Sequence, residues 1–578
     1  PTTGDDLALM PPEIRHHLEE VQRVEFTSSP DGPYQYLCLR HLPEKNMTER
    51  VDLKDPADLR PSTTAFWADR KNGQIRAFSV IASEEQAIQQ MFQLLDKEGL
   101  VDGASPDEVL VSNGMISRFR FDEEGAVTDY ELFDRYGQKI ELPDYGEHYS
   151  MERQALKTPK NAQNLRGQLS EFISGNETGR SRSIINWIRE QMPEWDFNTY
   201  RWILKEMSGR VEGKAKKSGQ VKEKGAALSA EEIITVHTHF IDYLRTLDTG
   251  KKAKSSLLDI TRTSLYRFFE KLPALDGENW GIVSRKRPTI PAVRVPEQRT
   301  LLVDGTGFTP EGTDPEHSLA LHLAEAYRQG WRRFILFRVN GQRLISTAVM
   351  GKSNTDDVIM DVYGTPGEYF GAFMQGGTIR LHGNAQNFTG MCMHHGQLEI
   401  FGNAGKVCGY ASKGGEVFIL GNIVDRAWTN SVNDSRCQDL RVHILGSASK
   451  YAGESLMGGD FFFGGMYFDH LGQLRIQDRP YRGTKLMGGA SRGNMLFFDP
   501  NNRLETPQYA HGKLQEIEPQ KWHYWQNMVI ETLEKAGVEI QQQNGNPAFT
   551  ADGKTFEIVP QYFKLIVPRG GLKGYESH

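Results

Sequence analysis

Cysteine is scarce in this chain of 578 residues, which contains only Cys38, Cys392, Cys408 and Cys437. No two of them lie close together in the sequence, so we expect neither a disulfide framework nor an iron–sulfur cluster held by local thiolates. Widely spaced thiols are typical of proteins in a reducing compartment, which predicts a cytoplasmic location.

Long apolar runs and an excess of positive charge are also missing. No stretch approaches the roughly 18 apolar residues of a membrane-spanning helix. The formal net charge is −7, so no overall basic field would attract nucleic acid or an anionic membrane. The first residues, 1–6, do not form the charged-then-apolar pattern of a secretory signal. These absences favour a cytoplasmic protein that neither inserts into membranes nor binds nucleic acid.

Changes in periodicity along the chain predict a mixed α/β multidomain protein. The predicted segments are an α+β domain (1–150), a helical domain (151–287), a lead-in helix with strands (288–350), a repeat domain (351–500) and a C-terminal helix with strands (501–578).

The first of these segments contains strand and hairpin patterns. Gln74–Ala82 alternates as a strand does, and Ser83 with Gln86 forms a capping-box pattern that predicts a following helix. Val109–Phe121 and Val127–Phe133 flank an acidic turn, which predicts a β-hairpin.

The second segment has helical periodicity. One predicted helix places Ile184, Trp187 and Ile188 on a single face. Another begins at the capping box of Ser229 and Glu232 and carries an apolar stripe formed by Ile233, Val236, Phe240 and Leu244. The lysine-rich stretch 214–224 between them is typical of a surface loop.

Residues 314–330 predict a further helix. Asp314 is the expected N-cap, Pro315 the first helical residue, and Gly330 lies beyond the end. His317, Leu321, Ala324 and Tyr327 fall at helical spacing along it.

Glycine recurs at a fixed interval in the fourth segment. Three columns are spaced by 19 residues: Gly377, Gly396 and Gly415; Gly383, Gly402 and Gly421; and Gly390 and Gly409. The pattern extends back to Gly364 and Gly371, slips by six residues near 433–438, and resumes with Gly446 and Gly465 and with Gly453 and Gly472. Such a repeat predicts a stacked architecture of about six coils.

Between the first two glycine columns every coil has a short alternating sequence. These predicted strands are Thr378–His382, Gln397–Phe401, Glu416–Leu420, Arg441–Leu445 and Asp460–Phe463. A strand followed by a corner with positive φ and a second corner describes one turn of a parallel β-helix. Because a solenoid leaves strand edges open at both ends, we expect the 315–329 helix to cover one end and residues after 500, including a 519–536 helix, to cover the other.

The repeat resembles the C-terminal glycine-repeat domain of glutamate synthase large subunits. The resemblance rests on 364–374, on the tetrads Gly383–Gln386 and Gly402–Gly405, and on a lead-in at 331–343 similar to stand-alone members. It covers about residues 298–500 and implies a right-handed parallel β-helix of about six 19-residue coils. A similar domain occurs in the C subunit of formylmethanofuran dehydrogenase.

In glutamate synthase this domain is a spacer without catalytic residues, so the resemblance assigns this chain no catalytic, cofactor-binding or metal-binding residue. The sequence shows no amino-terminal cysteine nucleophile, FMN phosphate site or cysteine cluster. The resemblance therefore implies that FMN, iron–sulfur clusters and a glutaminase-like activity belong to partner chains.

Several motifs have residue types found in functional sites, but their context does not support one. Cys392-Met393-His394-His395 is the most metal-like, but its cysteine does not stack with Cys408 in the repeat. His237 and His239 lack nearby ligand partners, and Asp304-Gly305-Thr306-Gly307 favours a turn over a dinucleotide loop. Trp522, Tyr524 and Trp525 suit either a partner contact or a core helix.

The leading hypothesis is a non-catalytic scaffold subunit of a multi-subunit glutamate-synthase-like oxidoreductase. Three alternatives remain: a structural subunit like the formylmethanofuran dehydrogenase C subunit, an enzyme with a pocket between the N-terminal domains and the β-helix, and a homo-oligomeric assembly protein.

Overall fold

The computed structural model describes six strands before residue 141, residue 149, and residues 154–175, 179–211, 227–292, 299–308, 318–352, 354–469, 471–477, 480–481 and 483–569. Contacts divide the chain into two compact units, Pro1–Tyr145 and Gly146–His578. The strand predicted at Gln74–Ala82, the helix predicted from Ser83 and the 214–224 loop lie outside the described residues.

The first unit contains two antiparallel sheets. In one, β1 (Val21–Ser28) pairs with β2 (Gln35–His41). In the other, the strand order follows the sequence: β3 (Asp107–Val111), β4 (Met115–Phe121), β5 (Val127–Phe133) and β6 (Lys139–Ile140).

The pairing of β4 with β5 confirms the predicted hairpin. The single strand predicted for Val109–Phe121 is instead divided, because β3 ends at Val111 and β4 begins at Met115. The intervening sequence contains Asn113-Gly114, a pair that favours hairpin turns.

Seven α-helices are described, all in the second unit. They are α1 (Ala162–Ser174), α2 (Arg180–Gln191), α3 (Phe197–Ser208), α4 (Ala230–Tyr243), α5 (Lys254–Leu275), α6 (Leu319–Arg328) and α7 (Pro519–Lys535). The predicted capping box at Ser229 and Glu232 is present at the start of α4. Among these helices none has the length and apolar character needed to cross a membrane.

The second unit is built on a 12-stranded, mostly parallel sheet. Its parallel strands are β7 (Trp280–Ser284), β8 (Thr300–Asp304), β9 (Arg333–Asn340), β10 (Ile359–Thr365), β11 (Gln375–His382), β12 (His395–Ile400), β13 (Glu416–Ile419), β14 (Arg441–Ile444), β15 (Met457–Phe463) and β18 (Arg492–Phe498). Two antiparallel strands, β23 (Phe563–Pro568) and β19 (Gly512–Gln515), complete it at the β18 edge.

Two smaller antiparallel elements of the second unit lie outside this sheet. β16 (Met466–Phe468) and β17 (Leu474–Ile476) form an antiparallel hairpin, and β20 (Gln541–Gln543), β21 (Asn546–Ala551) and β22 (Lys554–Glu557) form a small antiparallel sheet.

The strand register reproduces the glycine interval. Thr378 pairs with Gln397, and Gln397 pairs with Glu416, so these strands are 19 residues apart. The predicted slip is confirmed, because Glu416 pairs with Arg441, 25 residues later. The interval resumes as predicted, because Arg441 pairs with Asp460, 19 residues later. The corner predicted at Gly472 is wrong: it lies in the hairpin of β16 and β17, and Asp460 next pairs with Asn494.

Six corners also connect successive repeats through their backbones. Each has three left-handed residues separated by single residues, with φ between 51° and 69°: 369, 371 and 373; 388, 390 and 392; 407, 409 and 411; 426, 428 and 430; 451, 453 and 455; and 485, 487 and 489. The middle residue donates to the preceding repeat, as Gly409 N does to Thr389 O at 2.7 Å. The outer residues donate to the following repeat, as Cys392 N does to Tyr410 O at 2.8 Å.

A ladder of asparagine side chains explains the regular spacing of the glycine–asparagine tetrads. Asn403 N donates to Asn384 Oδ1 at 2.9 Å, and Asn422 N donates to Asn403 Oδ1 at 2.6 Å. Ser447 N continues the ladder by donating to Asn422 Oδ1 at 2.9 Å. Side chains therefore satisfy corner amides that no strand partner reaches.

The glycine columns have two different physical causes. Gly377, Gly396 and Gly415 have φ of +81°, +99° and +100°, a conformation that side chains other than glycine rarely adopt. In the second column the expected positive φ is present at the two ends, Gly364 and Gly465, but absent at the glycines between them. There, a Cβ on Gly402 would lie 2.3 Å from Gly383 O, so glycine permits the close approach of successive backbones.

Three apolar cores surround the sheet. One face of the sheet packs against corner residues and α6 through alternating residues such as Phe334, Leu336 and Leu398. The opposite face packs against α1–α5 through Ile335 and Phe337, and further along against the C-terminal residues through Phe418 and Phe462.

The helix α6 covers the first strands, but it begins later than predicted. Its N-cap is Ser318, whose Oγ accepts from Leu321 N at 3.4 Å, rather than Asp314. Leu321 is 41% exposed, whereas Leu319 and Leu323 pack into the inner core. Ser318 lies closer to the apolar run than Asp314 does, and it caps the helix. The helix start at this residue determines which side chains face the core.

The helix α7 begins at Pro519 as predicted and ends at Lys535, one residue before the predicted end, with Ala536 as its C-cap and Gly537, with φ +76°, after it. It does not cover the end of the sheet. Trp525, Met528 and Leu533 pack against the outer face, while β23 and β19 extend the last edge.

We predict that Gly402→Ala lowers the free energy of unfolding by about 1–3 kcal/mol, because the added methyl group would overlap Gly383 O. Gly167→Ala in α1 is the matched control: no atom lies within 4 Å of its Cβ position, and alanine favours a helix, so stability should rise slightly. Denaturant unfolding of both variants checks this, and equal midpoints would contradict the close-approach argument.

Candidate functional site

A buried histidine lies between two carboxylates where α4 packs on the sheet. His382 Nδ1 lies 2.9 and 3.0 Å from the two carboxylate oxygens of Asp242, and its Nε2 lies 3.4 Å from Asp361 Oδ1. The side chain of His382 is 3% exposed and both carboxylates are buried. We call these three residues the Asp–His–Asp cluster.

The local fold places the cluster in a defined way. In the parallel register of β10 and β11, Tyr363 is directly beside His382, and Asp361 is beside Arg380. The capping box fixes the start of α4, so Asp242 falls in its last turn, against the sheet. Thr238 Oγ1 and Tyr363 Oη are 2.6 Å apart and form a second polar contact between the helix and the sheet.

Two aromatic rings enclose the imidazole. The rings of Tyr363 and His382 stack with centroids 4.3 Å apart, and Phe401 stacks beyond His382 at 5.7 Å. Aromatic faces stabilise a cation lying over them, so this sandwich suits a charged imidazole.

The electrostatics of the cluster favour that charge. Burial alone would lower the pKa of His382, but the carboxylates of Asp242 and Asp361 outweigh it and raise that pKa to about 9. Burial raises the pKa of Asp242, with His382 opposing the shift. Burial also acts to raise the pKa of Asp361, but hydrogen bonding from His382 and the charges of Arg333 and Arg380 hold it well below its usual range.

Both ring nitrogens are thus engaged by carboxylates in a nearly inaccessible position. An imidazolium held in this way has no free nitrogen with which to accept a proton from a substrate. Arg333 and Arg380 supply further positive charge to Asp361. The arrangement is suited to linking α4 to the sheet through charge-assisted hydrogen bonds.

A second set of ion pairs links α7 to the same face. Lys535 Nζ lies 3.1 Å from Glu399 Oε1 and 2.9 Å from Glu416 Oε1. Burial opposes the charge of Lys535, but the two glutamates outweigh it and raise its pKa. Arg441 Nη2 donates to Glu531 Oε2 at 2.7 Å. Charged side chains therefore join the sheet to α7 as well as to α4.

The Cys-Met-His-His motif is used within the repeat. His395 Nδ1 accepts from Gln438 N at 3.2 Å, and His394 Nδ1 lies 3.2 Å from Gln375 Nε2. Cys408 is buried, which raises the pKa of its thiol to about 12, and Cys392 is half-buried. Within the described ranges, no group of three or more metal-ligating side chains was found.

The other motifs also have local contacts. His237 is buried with Nδ1 2.8 Å from Ile233 O, and burial lowers its pKa to about 4; His239 has a similarly lowered pKa. The turn at Asp304 is confirmed, since its Oδ1 accepts from Thr306 N at 3.0 Å. In α7, Trp525 is buried, whereas Tyr524 is exposed and donates to Asp460 Oδ2 at 2.8 Å.

An open surface depression lies on α1, away from the elements that form the cluster. It is lined by Asn161, Gln163, Asn164, Gly167, Gln168 and Glu171. None of these residues belongs to the Asp–His–Asp cluster.

Sequence reasoning did not find the cluster, because Asp242 and His382 are 140 residues apart. One signal was present in the repeat. The position of His382 is occupied by Phe401 and Leu420 in the next two repeats, so a histidine there interrupts an apolar column.

We predict that the free energy of unfolding falls as the pH rises from about 6.5 through about 9, because the folded state binds a proton on His382 more tightly than the unfolded chain does. This contribution is fully present below the unfolded pKa and is lost above the folded one. His382→Gln should remove this part of the pH dependence and cost about 3–5 kcal/mol at neutral pH, since two buried carboxylates lose their cation.

His237→Leu is the control, because His237 is buried but neutral in this range. It should leave the slope between pH 6.5 and 9 unchanged in urea unfolding curves. An unchanged slope in His382→Gln would show that the imidazole is not held as a cation.

Comparisons with known proteins do not assign this chain to a family. No family model matches the chain, and no curated protein matches it.

Proposed function

We propose that residues 351–500 form a right-handed parallel β-helix and that the chain is a non-catalytic scaffold subunit of a multi-subunit, glutamate-synthase-like oxidoreductase. In this assembly FMN and iron–sulfur clusters are carried by partner subunits, and a glutaminase-like chain is a further candidate partner. This chain supplies a rigid body on which they are positioned.

The observation that carries the proposal is the 19-residue interval shared by the glycine pattern and the strand register. Thr378, Gln397 and Glu416 are successive partners in one ladder. The same glycines and Gly-Asn tetrads carry the resemblance to the glutamate synthase repeat domain. A motif that recurs at the interval of the hydrogen-bonded register supports coils of one repeat each.

Contacts on other sides of the repeat support a closed coil. Isolated parallel bridges join Ala404 to Ile423 and Ile423 to Ala448, on the side after the strand. The left-handed corners add further bonds between repeats, and apolar side chains from both sides fill one interior core. Neighbouring coils would then be about 4.8 Å apart.

The chemistry of the outer face supports a scaffold role. The His382 imidazole is bonded to two carboxylates, and Lys535 is bonded to Glu399 and Glu416. These charges are used to hold α4 and α7 on the sheet. Breaking buried pairs of this kind is costly, so they favour a fixed arrangement of the layers.

Gentle purification from the native source tests the proposal, with mass-spectrometric identification of the co-purifying chains and an absorbance spectrum of the complex. We expect flavin-bearing and iron–sulfur subunits in a fixed ratio to this chain. The isolated chain, produced alone, is the control and should be colourless.

Two results would count against the proposal. Flavin or metal bound at one per molecule in the isolated chain would make it a cofactor-bearing subunit. A colourless particle of this chain alone would instead favour a homo-oligomeric assembly protein.

A further inference from the structure

Bulky apolar side chains occupy strained corner positions in the first repeats. Tyr369, Phe373 and Phe388 have φ of 63°, 60° and 57°. The left-handed region is unfavourable for such residues and much easier for glycine or asparagine. The equivalent positions in later repeats hold polar residues such as Arg426 and Asn430 as well as one aromatic residue, Tyr451. Folding of the corner alone therefore does not require aromatic side chains.

The corners that carry these side chains lie in one row. Leu344 N donates to Glu368 O, Tyr369 N to Asn387 O, and Phe388 N to Lys406 O, so successive corners stack in a row. The rings of Tyr369 and Phe388 stack 5.1 Å apart. We call Leu344, Tyr369, Phe373, Phe388, Cys392 and Val407 the aromatic corner face.

Two members of the face are exposed, whereas Tyr369 and Phe388 are partly buried. Phe373 is 44% exposed and Leu344 is 40% exposed. Single exposed apolar residues are common on proteins, but a contiguous group marks an interaction site more often. Tyrosine and phenylalanine are also enriched at the centres of protein interfaces.

The same row of corners becomes cationic beyond Val407. The Arg426 guanidinium lies 4.7 Å from the ring centre of Tyr451, and Lys485 Nζ lies 5.2 Å from it. Glu454 neutralises Arg426 through a contact of 2.5 Å. The positive charge of Lys485 lies beside the Tyr451 ring in the last of these corners, three repeats beyond Val407.

A second copy of this chain is a poor match for that pattern. If two copies paired through this face with their rows of corners running in the same direction, the two Lys485 side chains would lie opposite each other. In the opposite direction, Lys485 would approach the Leu344 end, where the Glu368 carboxylate is buried and already bonded to Arg343. Like charges and unmatched cations disfavour such contacts.

We propose that the aromatic corner face docks a partner subunit of a different sequence, through a segment with apolar side chains followed by a carboxylate that pairs with Lys485. The partner's apolar groups would cover Phe373 and Leu344. This inference rests on the proposed function, since it names the surface by which the scaffold holds one of its partners.

Photo-crosslinking in the native assembly tests the docking. A benzophenone analogue of phenylalanine replaces Phe373 in the full chain, and the same analogue at Leu514, which is 54% exposed on β19, is the control. We expect the 373 probe to crosslink to a sequenced peptide of another subunit that combines apolar and acidic residues. Crosslinks to a second copy, to residues 1–145 of the same chain, or to nothing would overturn the proposal.

A binding measurement with the crosslinked subunit provides the second test. The double variant Tyr369→Asn, Phe373→Asn should weaken binding at least 10-fold, whereas Leu514→Asn should change it less than twofold. Asparagine tolerates left-handed φ, so the double variant should unfold at the same temperature as the parent or higher. Lys485→Gln should also weaken binding, and more strongly at low salt than at high salt. Unchanged binding in the double variant would overturn the docking.

The outcomes separate this inference from the proposed function. Flavin and iron–sulfur subunits that co-purify but crosslink only at Leu514 would leave the scaffold role intact and remove the docking surface. A crosslinked partner in an assembly without flavin would support the docking surface and contradict the oxidoreductase assignment.

Discussion

The second unit depends on one constraint: successive repeats must approach closely enough for their backbones to bond at the corners as well as along the strands. Glycine at 402 allows the backbone to pass close to Gly383 O. The side chains of Asn384, Asn403 and Asn422 accept from backbone amides at successive crossings of this kind. The left-handed corners then point amides in both directions along the stack. A side chain at a crossing would separate two repeats and weaken every bond between them.

This constraint also explains how other layers attach. Because the register is fixed, outward residues of neighbouring strands lie beside each other, and His382 meets Tyr363 and Asp361. The helix α4 adds Asp242 from a distant part of the chain. On the same face, Lys535 joins two strands through Glu399 and Glu416. The regular sheet thus brings isolated polar residues together as buried or half-buried ion pairs.

Sequence reasoning predicted the parts that repeat and missed those that do not. The glycine interval predicted the strands, their 19-residue register and the slip before Arg441, because backbone geometry leaves few alternatives at each corner. Local capping chemistry likewise predicted the start of α4. The hairpin between Met466 and Ile476 carries Gly472 at the expected spacing from Gly453, so its sequence imitates a further repeat.

The candidate cluster illustrates why a site is harder to predict than a repeat. No local pattern joins Asp242 to His382, since their contact exists only once α4 packs on the sheet. The prediction that α7 covers the end of the sheet was wrong for a similar reason. Its apolar residues pack on a face of the sheet, and nothing in its own sequence distinguishes a face from an end. Apolar periodicity shows that a helix packs, but the partner is selected by tertiary contacts.

Amide hydrogen exchange at the corners tests most directly whether successive repeats are hydrogen-bonded at the corners as well as along the strands. Gly390 N donates to Phe370 O at 2.8 Å and Gly409 N to Thr389 O at 2.7 Å. The account predicts that both amides are protected to the same extent as the strand amides of Leu398 and Val417. Exchange of these corner amides as fast as in the turn at Gly553, with the strands still protected, would show that only the sheet is bonded and would contradict the account.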